Sequence, residues 1–297
     1  FSRERLIGIL HLGPKESEKP YSQDDIDLLQ MVANQAAIAI ENARLHKEEI
    51  EKQKIEEELT MARRIQQGLL PKESPKISGL DISGISIPAT EVGGDYYDFI
   101  KLDDHRLLVV VGDVSGKGMS AALYMAKIQG MIQFASAVYS SPKDILIEVN
   151  RKIYDGIERK SFITMIIALF DLPAKKVTIC RAGHNPALIA SIGQVSFLKL
   201  KGMGLGLEPG SIFGHELEIF EEDLNPGKLF LFYSDGLTEA MNSNKEEFGE
   251  QRVRQAIKNY PAVSAKSLEE SVIETVTRFR DGAEQNDDVT VVVVKAL

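Results

Sequence analysis

Acidic residues stand beside apolar, strand-like segments at four widely separated places in the sequence. They are Asp95 and Asp98 in "EVGGDYYDF", Asp113 after "LLVVVG", Asp235 after "KLFLFYS", and Asp287 and Asp288 before "VTVVVV". Asp is common in turns after strands because its side chain bonds its own backbone, so any one of them alone is explained as a turn residue. Together they indicate a site, because neighbouring desolvated carboxylates repel one another unless a cation compensates.

The chemistry that such a site favours is metal-assisted hydrolysis. Carboxylate oxygens are the ligands that Mg²⁺ and Mn²⁺ prefer, whereas five His and one Cys leave little material for a zinc site. Two divalent ions can share a bridging carboxylate and clamp a phosphate for in-line attack by an activated water. That arrangement hydrolyses phosphoesters without a protein nucleophile, and we predict Asp113 as the bridging carboxylate.

Two nucleotide-related motifs fit the sequence less well than a metal site. The segment "GDVSGKG" from Gly112 is one residue shorter than a P-loop, and Lys117 is followed by Gly118 where a P-loop has Ser or Thr. The segment "VGGDYYDF" resembles the signature of diguanylate cyclases, but Tyr96 stands where that signature has Glu. A cyclase would also leave the other acids without a role.

Composition excludes several classes of protein. The chain has 297 residues, 43% hydrophobic and 27% charged, as is ordinary for a globular protein. Its net charge of -9 argues against a nucleic-acid surface. The single cysteine, Cys180, lies in an alternating apolar run and favours a reducing, cytoplasmic setting. We find no apolar segment of membrane-spanning length and predict no membrane contact for this piece.

A long helix is predicted from about Gln23 to Leu70, because this stretch has no Pro and its one Gly is Gly68. Its length would be about 70 Å. Apolar residues recur at intervals of seven, with a change of phase between Ile50 and Ile55, as in an interrupted coiled coil. A single amphipathic helix packed on its own domain is an equally open interpretation.

Strands and helices are predicted on both sides of this helix. Before it, residues 5–12 ("RLIGILHL") have the pattern of a strand. After it, strands are predicted at 107–111, 162–170, 176–181, 186–190, 195–200, 229–233 and 289–295, and helices at 119–137, 142–156 and 264–280. Many consecutive strands with few helices favour an α+β fold.

Several segments together resemble the metal-dependent (PPM-type) protein serine/threonine phosphatases, most closely the bacterial RsbU/SpoIIE-like branch. They are "GGDYYDF", "VVVGDVSGKGMSAALYMAK", "RAGHNPALI", "FYSDGLTEAMN" and "NDDVTVVVV", in the order of that family, with "ARRIQQGLLP" resembling its lead-in helix. The resemblance covers about 62–297 and implies an α-β-β-α sandwich with a binuclear site at one end of the sheets.

Carried over residue by residue, the resemblance implies metal ligands. Asp95 would bind one ion, directly or through water, and Asp113 would bridge both ions with the Val114 carbonyl as a further ligand. Asp235 and Asp287 would bind the second ion. The ions would be Mn²⁺ or Mg²⁺.

Other residues of the motifs are expected near the ligands or have an open role. Gly94 precedes Asp95, Asp288 stands where many relatives have Asn, and Asp98 is either near the site or a turn acid, the latter being favoured. Ser115 occupies the position where eukaryotic members often have a His that could act as general acid. His184 is a weak alternative for that role, since a lone His beside Asn-Pro more often holds a turn.

The N-terminal segments "LIGILHLGPK" and "LLQMVANQAAIAIENARL" resemble the end of a GAF sensor domain. The resulting expectation is a GAF remnant over 1–45, a helical linker with possible coiled coil over 46–71, and a phosphatase domain over 72–297. If so, most of the sensor lies upstream of Phe1. We hypothesise a homodimer through the helix at 24–70, with dimerisation ordering the metal site.

The resemblance implies a substrate class as well. Members of this branch dephosphorylate a small phosphorylated anti-sigma-factor antagonist in partner-switching regulation. The alternative is a catalytically silent, phosphatase-like signalling scaffold. All the acids expected of an active enzyme are present, which argues against degeneration.

Overall fold

A computed structural model describes residues 6–191, 194–258 and 263–297. The chain forms two compact units, Phe1–Met61 and Ala62–Leu297. In the first unit, the prediction of a strand at 5–12 is wrong for the described residues, because residues 6–12 have no regular secondary structure. Most of the apolar side chains there are exposed, Ile9 to 84%, and a strand needs a paired neighbour to persist. Position 5 lies outside the described residues.

The long helix is confirmed as α1 (Gln23–Leu69), which has 47 residues and ends just before Pro71. Ala37 is its one buried residue in the part of the chain that the structure describes. Many of its apolar side chains, including Ile50 and Ile55, are exposed, so the predicted apolar stripe is not covered there. None of the described helices is both long and apolar enough to cross a membrane.

The second unit contains two five-stranded antiparallel sheets. The first sheet has, in spatial order, β1 (Leu80–Ile87), β10 (Val289–Ala296), β9 (Leu229–Tyr233), β6 (Ala187–Ser191) and β7 (Gln194–Leu198). The second has β2 (Tyr96–Lys101), β3 (Arg106–Val114), β4 (Ile163–Asp171), β5 (Lys176–Ala182) and β8 (Ile219–Asp223).

Helices cover the outer faces of both sheets. Those on the second sheet are α2 (Met119–Ser136), α3 (Pro142–Ile153) and α4 (Ser211–Glu216). Those on the first are α5 (Asp235–Thr238), α6 (Gly249–Ala256) and α7 (Ala265–Arg280). The α-β-β-α sandwich expected from the sequence is therefore confirmed.

The central strands are apolar at consecutive positions because both of their faces are buried. In β3, Leu107 and Val109 face the core between the sheets, whereas Leu108 and Val110 face the helices. Strand β10 alternates in the same way between the inter-sheet core and the α7 side. Such two-sided burial produces continuous apolar runs rather than alternation, and these are the runs that the acids flank.

Most of the predicted elements are confirmed with small shifts of their ends. The sequence analysis missed β1, β2, β8 and the short helices α4, α5 and α6. Strand β8 is an edge strand of sequence "IFEED", in which two apolar residues are followed by three acids without the alternation typical of a strand. Edge strands carry little of the apolar signal on which such predictions depend.

Candidate active site

The acids of the second sheet lie where β2 begins and β3 ends. Asp95 comes immediately before β2, and Asp113 is the second-last residue of β3. Because these strands are antiparallel, with Tyr96 opposite Gly112, the start of one strand is next to the end of the other. Asp95 and Asp113 are thereby brought to the same end of the sandwich.

The acids of the first sheet meet in the same way. Asp235 begins α5 directly after β9, and Asp287 and Asp288 directly precede β10. Strands β9 and β10 are antiparallel, and the N–H of Ser234 donates to the carbonyl of Thr290 at 3.1 Å. The end of β9 therefore lies beside the start of β10.

Hydrogen bonds join these two groups of acids across the sandwich. The hydroxyl of Thr290, on β10, donates to Asp95 Oδ2 at 2.6 Å. The Asp288 carboxylate accepts from the N–H of Gly94 at 2.6 Å and from that of Ala89 at 2.8 Å. The loop that carries Asp95 is thus fastened to the first sheet, although Asp95 belongs to the second.

Close backbone packing explains the glycines before Asp95. A Cβ on Gly94 would lie 2.9 Å from the Val114 carbonyl oxygen and 3.3 Å from Asp113 Oδ1. A Cβ on Gly93 would lie 2.2 Å from Asp288 Oδ2. Glycine therefore allows the loop to approach Asp113 and Val114 on one side and Asp288 on the other.

The acids interact strongly enough to change one another's protonation. Burial raises the pKa of Asp95 well above its usual range, and the charges of Asp113 and Asp288 add to this. Burial raises the pKa of Asp113 to about 7, with further contributions from the charges of Asp235, Asp287 and Asp288. Burial and then the charge of Asp287 raise the pKa of Asp235. The cluster therefore holds negative charge at an energetic cost that a cation would relieve.

Asp98 has a different place from the one favoured by the sequence analysis. It lies within β2 rather than in a turn, and it is buried. Its Oδ2 accepts from the Tyr96 hydroxyl and from Gln133 Nε2, each at 2.9 Å, and its Oδ1 from the Phe99 N–H. Asp98 therefore anchors α2 to the second sheet.

Ser115 and His184 are both held in structural contacts. The Ser115 hydroxyl accepts from the Phe162 N–H at 2.8 Å, which ties the loop after β3 to the start of β4. His184 is buried, and its Nδ1 lies 2.8 Å from the hydroxyl of Thr164, the residue paired with Asp113 across β3 and β4. Burial lowers the pKa of His184 to about 3, so the ring is neutral and does not suit a general acid.

The sequence analysis missed the polar residues that hold the acids in place. Ser234 and Thr290 support the Asp95 side, and Gln66 at the end of α1 binds the backbone of Gly93 with both ends of its amide, at 2.6 and 2.9 Å. Lys117 forms an ion pair with Asp287 at 2.9 Å. Thr290, Lys117 and Gln66 all lie within quoted motifs, Gln66 in "ARRIQQGLLP", but no pattern in those motifs indicated their contacts with the acids and their loops.

The donor set suits hard divalent cations, because every predicted side-chain ligand offers carboxylate oxygens. Burial, and then the charges of neighbouring acids, raise the pKa values of Asp95, Asp113 and Asp235. Across the described residues, no three His, Cys, Asp or Glu side chains are already gathered closely enough to hold an ion. Asp95, Asp113, Asp235 and Asp287, with the Val114 carbonyl, remain predicted ligands.

Comparison with known proteins agrees with this architecture. A profile described as "Stage II sporulation protein E (SpoIIE)" matches residues 103–297. The chain belongs to the SpoIIE family. Together with the phosphoserine phosphatase and PP2C relatives described next, this membership confirms the resemblance to PPM-type (PP2C-type) phosphatases and the assignment as a protein serine/threonine phosphatase.

Relatives of this SpoIIE-family chain include one protein from Bacillus subtilis and one from Synechocystis sp.. It is 30% identical over 244 residues to the phosphoserine phosphatase RsbU of Bacillus subtilis, covering 82% of this chain and 71% of RsbU. It is 29% identical over 265 residues to the protein IcfG of Synechocystis, covering 80% of this chain and 41% of IcfG. The chain thus spans less than half of IcfG.

Solved structures share the fold. The SiaA PP2C domain of Pseudomonas aeruginosa superimposes with a TM-score of 0.72 at 21% identity, covering 82% of this chain and 98% of that domain. The RsbU and RsbW domains of Rv1364c from Mycobacterium tuberculosis give a TM-score of 0.63 at 26% identity, covering 75% and 61%. A further neighbour, RsbX, was crystallised with magnesium, and metal dependence is expected of this family.

Proposed function

We propose that this chain removes phosphate from phosphoserine or phosphothreonine in a protein, using two divalent ions, Mn²⁺ or Mg²⁺. The observation that carries the proposal is the convergence of acids from two sheets at one end of the sandwich, with raised pKa values. When bound, the ions would supply an activated water and a clamp for the phosphoryl group.

Different residues of the chain have different roles in the proposed site. Asp113 has a central place, because its pKa responds to the charges of Asp235, Asp287 and Asp288. Asp95 is oriented by the Thr290 hydroxyl, and Asp288 orients the Asp95 loop through backbone N–H groups. Asp288 is therefore assigned to positioning, since two of its hydrogen bonds are already made to the loop.

The proposed substrate is a phosphorylated anti-sigma-factor antagonist. The support is the similarity to RsbU over most of this chain. The negative net charge of -9 favours a protein rather than a nucleic-acid substrate. We place the reaction in the cytoplasm, consistent with a single, buried, free cysteine at Cys180.

We further propose a homodimer through the helix at 24–70 and a GAF-like origin for residues 1–45. The support is the exposure of apolar side chains along a 47-residue helix whose one buried residue, among those described, is Ala37. Long helices with apolar heptads reach stability by pairing. Sedimentation analysis gives the test, and a monomeric chain with full activity contradicts a role for pairing in ordering the site.

Hydrolysis of p-nitrophenyl phosphate and of a phosphoserine protein tests the activity, with Mn²⁺, with Mg²⁺ and with a chelator. We expect turnover that needs the metal and is lost in Asp113→Asn. Asp103→Asn is the matched control, because Asp103 makes an exposed ion pair with Arg106 away from the site. A folded protein without turnover under any of these conditions supports the signalling scaffold instead.

A further inference from the structure

A lysine reaches into the acidic cluster from the loop after β3. Lys117 Nζ lies 2.9 Å from Asp287 Oδ2 and also donates to the carbonyl of Asn286. Both partners are accessible, since the side chains of Lys117 and Asp287 are 57% and 40% exposed. The charge of Lys117 acts beyond this pair, because it opposes the rise in the pKa of Asp235.

The ion pair between Lys117 and Asp287 is exposed and therefore weak. Exposed pairs contribute little stability, because solvent screens them and ordering two side chains costs entropy. The contact to the Asn286 carbonyl uses another donor of the same ammonium group, so both contacts are released together when the side chain moves. Lys has a long flexible stem and behaves as a mobile point charge.

Ligation of a divalent cation by Asp287 weakens its ion pair with Lys117, because the two positive charges would lie a few ångströms apart and repel each other. Lys117 would then need another anionic partner. Lys117 lies four residues beyond Asp113, in the loop that begins directly after β3. A phosphoryl group held beside Asp113 and Asp287 carries two negative charges and oxygen acceptors suited to an ammonium group.

We propose that Lys117 is a substrate-binding residue that changes partners, pairing with Asp287 in the metal-free site and with an oxygen of the substrate's phosphoryl group in the loaded site. This inference rests on the proposed phosphatase function. It assigns to one side chain two opposite effects, competition with the metal and attraction of the phosphate.

The opposite effects give a signature that a merely structural residue does not produce. In Lys117→Met, we expect Mn²⁺ to bind about twofold to fivefold more tightly to chelator-treated protein, because Asp287 loses its competing partner. We expect inorganic phosphate to inhibit about tenfold less strongly, with a similar rise in KM and a smaller change in kcat. Lys117→Arg keeps the positive charge and restores much of the phosphate inhibition.

Titration calorimetry with MnCl₂ and inhibition by inorganic phosphate are the two measurements. Lys176→Met is the matched control, because Lys176 also makes an exposed ion pair, with Glu221 at 3.2 Å, but on the β5–β8 edge. Thermal melting followed by circular dichroism verifies that each variant folds. The control should match the wild-type protein in both measurements.

The proposal requires both shifts. If Lys117→Met binds Mn²⁺ no more tightly than the wild type, or is inhibited by phosphate equally well, the proposal is overturned. This failure is distinct from failure of the proposed function, in which the wild-type protein itself neither binds Mn²⁺ nor hydrolyses phosphoserine.

Discussion

The two sides of the acidic cluster are built differently. On the enclosed side, formed by Asp95 and Asp288, the side chains are only 4% and 6% exposed and are held by hydrogen bonds from Thr290 and backbone N–H groups. On the open side, Asp235 and Asp287 are only partly buried, and Asp287 pairs with the exposed side chain of Lys117. Asp113 lies between them and is repelled by acids of both sides.

This difference separates two tasks within one site. Hydrogen bonds fix the enclosed side before any ligand arrives, which lowers the reorganisation needed for catalysis. The open side exchanges partners, as binding of a cation and a phosphoryl group requires. Variants of the enclosed side should therefore affect folding and activity together, whereas variants of the open side should affect metal binding, substrate binding and activity with little effect on folding.

Asp113 lies between the enclosed and open sides, and removing its charge should have the largest effect on activity. We expect Asp113→Asn to lower kcat/KM by about a thousandfold or more. The same variant should raise the free energy of unfolding of the metal-free protein near neutral pH, because a desolvated and repelled charge is gone. Activity assays and denaturant unfolding in chelator measure the two effects. A variant that loses activity and stability together contradicts this account.

Asp287 and Asp288 are adjacent in the chain but lie on opposite sides of the cluster, so their variants test directly whether the two sides differ in stability. Asp288→Ala leaves the N–H groups of Gly94 and Ala89 without their acceptor and should cost about 2–3 kcal/mol of unfolding free energy. Asp287→Ala, at an exposed position, should change stability by about 0.5 kcal/mol or less. Equal losses in urea unfolding would argue that the two sides are not distinct.

Crowding of the enclosed side is tested by Gly93→Ala. Its new Cβ would lie 2.2 Å from Asp288 Oδ2, so the loop must shift, at a cost of about 1–3 kcal/mol. The matched control is Gly130→Ala in α2, where an added Cβ meets no atom within 4 Å among those described. The control should stabilise the protein by about 0.5–1 kcal/mol. Thermal unfolding that ranks the two variants in the other order contradicts the close approach.

The smallest effect is expected from pH in chelator. A carboxyl group whose pKa is raised to about 7 on folding binds its proton more tightly in the folded state, so stability is lost as the pH rises through about 7. Neutral His184 acts in the opposite direction, because its pKa is lowered on folding. His184 is present in both the wild type and Asp113→Asn, so the difference in stability between the two proteins removes the contribution of His184.

Between about pH 6 and about pH 8, the wild type should lose on the order of 1 kcal/mol more stability than Asp113→Asn. The measurement is the urea midpoint of both proteins across this range. Parallel pH profiles would show that Asp113 is not destabilised in the folded protein.

Much of the fold was predictable because strong local signals agree with it. The unbroken stretch without Pro predicted α1, and the apolar run before Asp113 predicted β3. Strand β2 was missed because its polar residue Asp98 is buried through bonds to Tyr96 and Gln133. The failed strand at 5–12 shows the converse, a correct local pattern without a partner in the described chain.

The sequence by itself determined which acids are present, their order beside buried strands and the family to which the chain belongs. Only the tertiary structure decided how those acids are held. The bond from Thr290 to Asp95 joins residues 195 positions apart, and the ion pair of Lys117 with Asp287 likewise joins the loop after β3 to the segment before β10. Periodicity describes the faces of one element, whereas such contacts arise from the pairing and packing of strands that are distant in the chain.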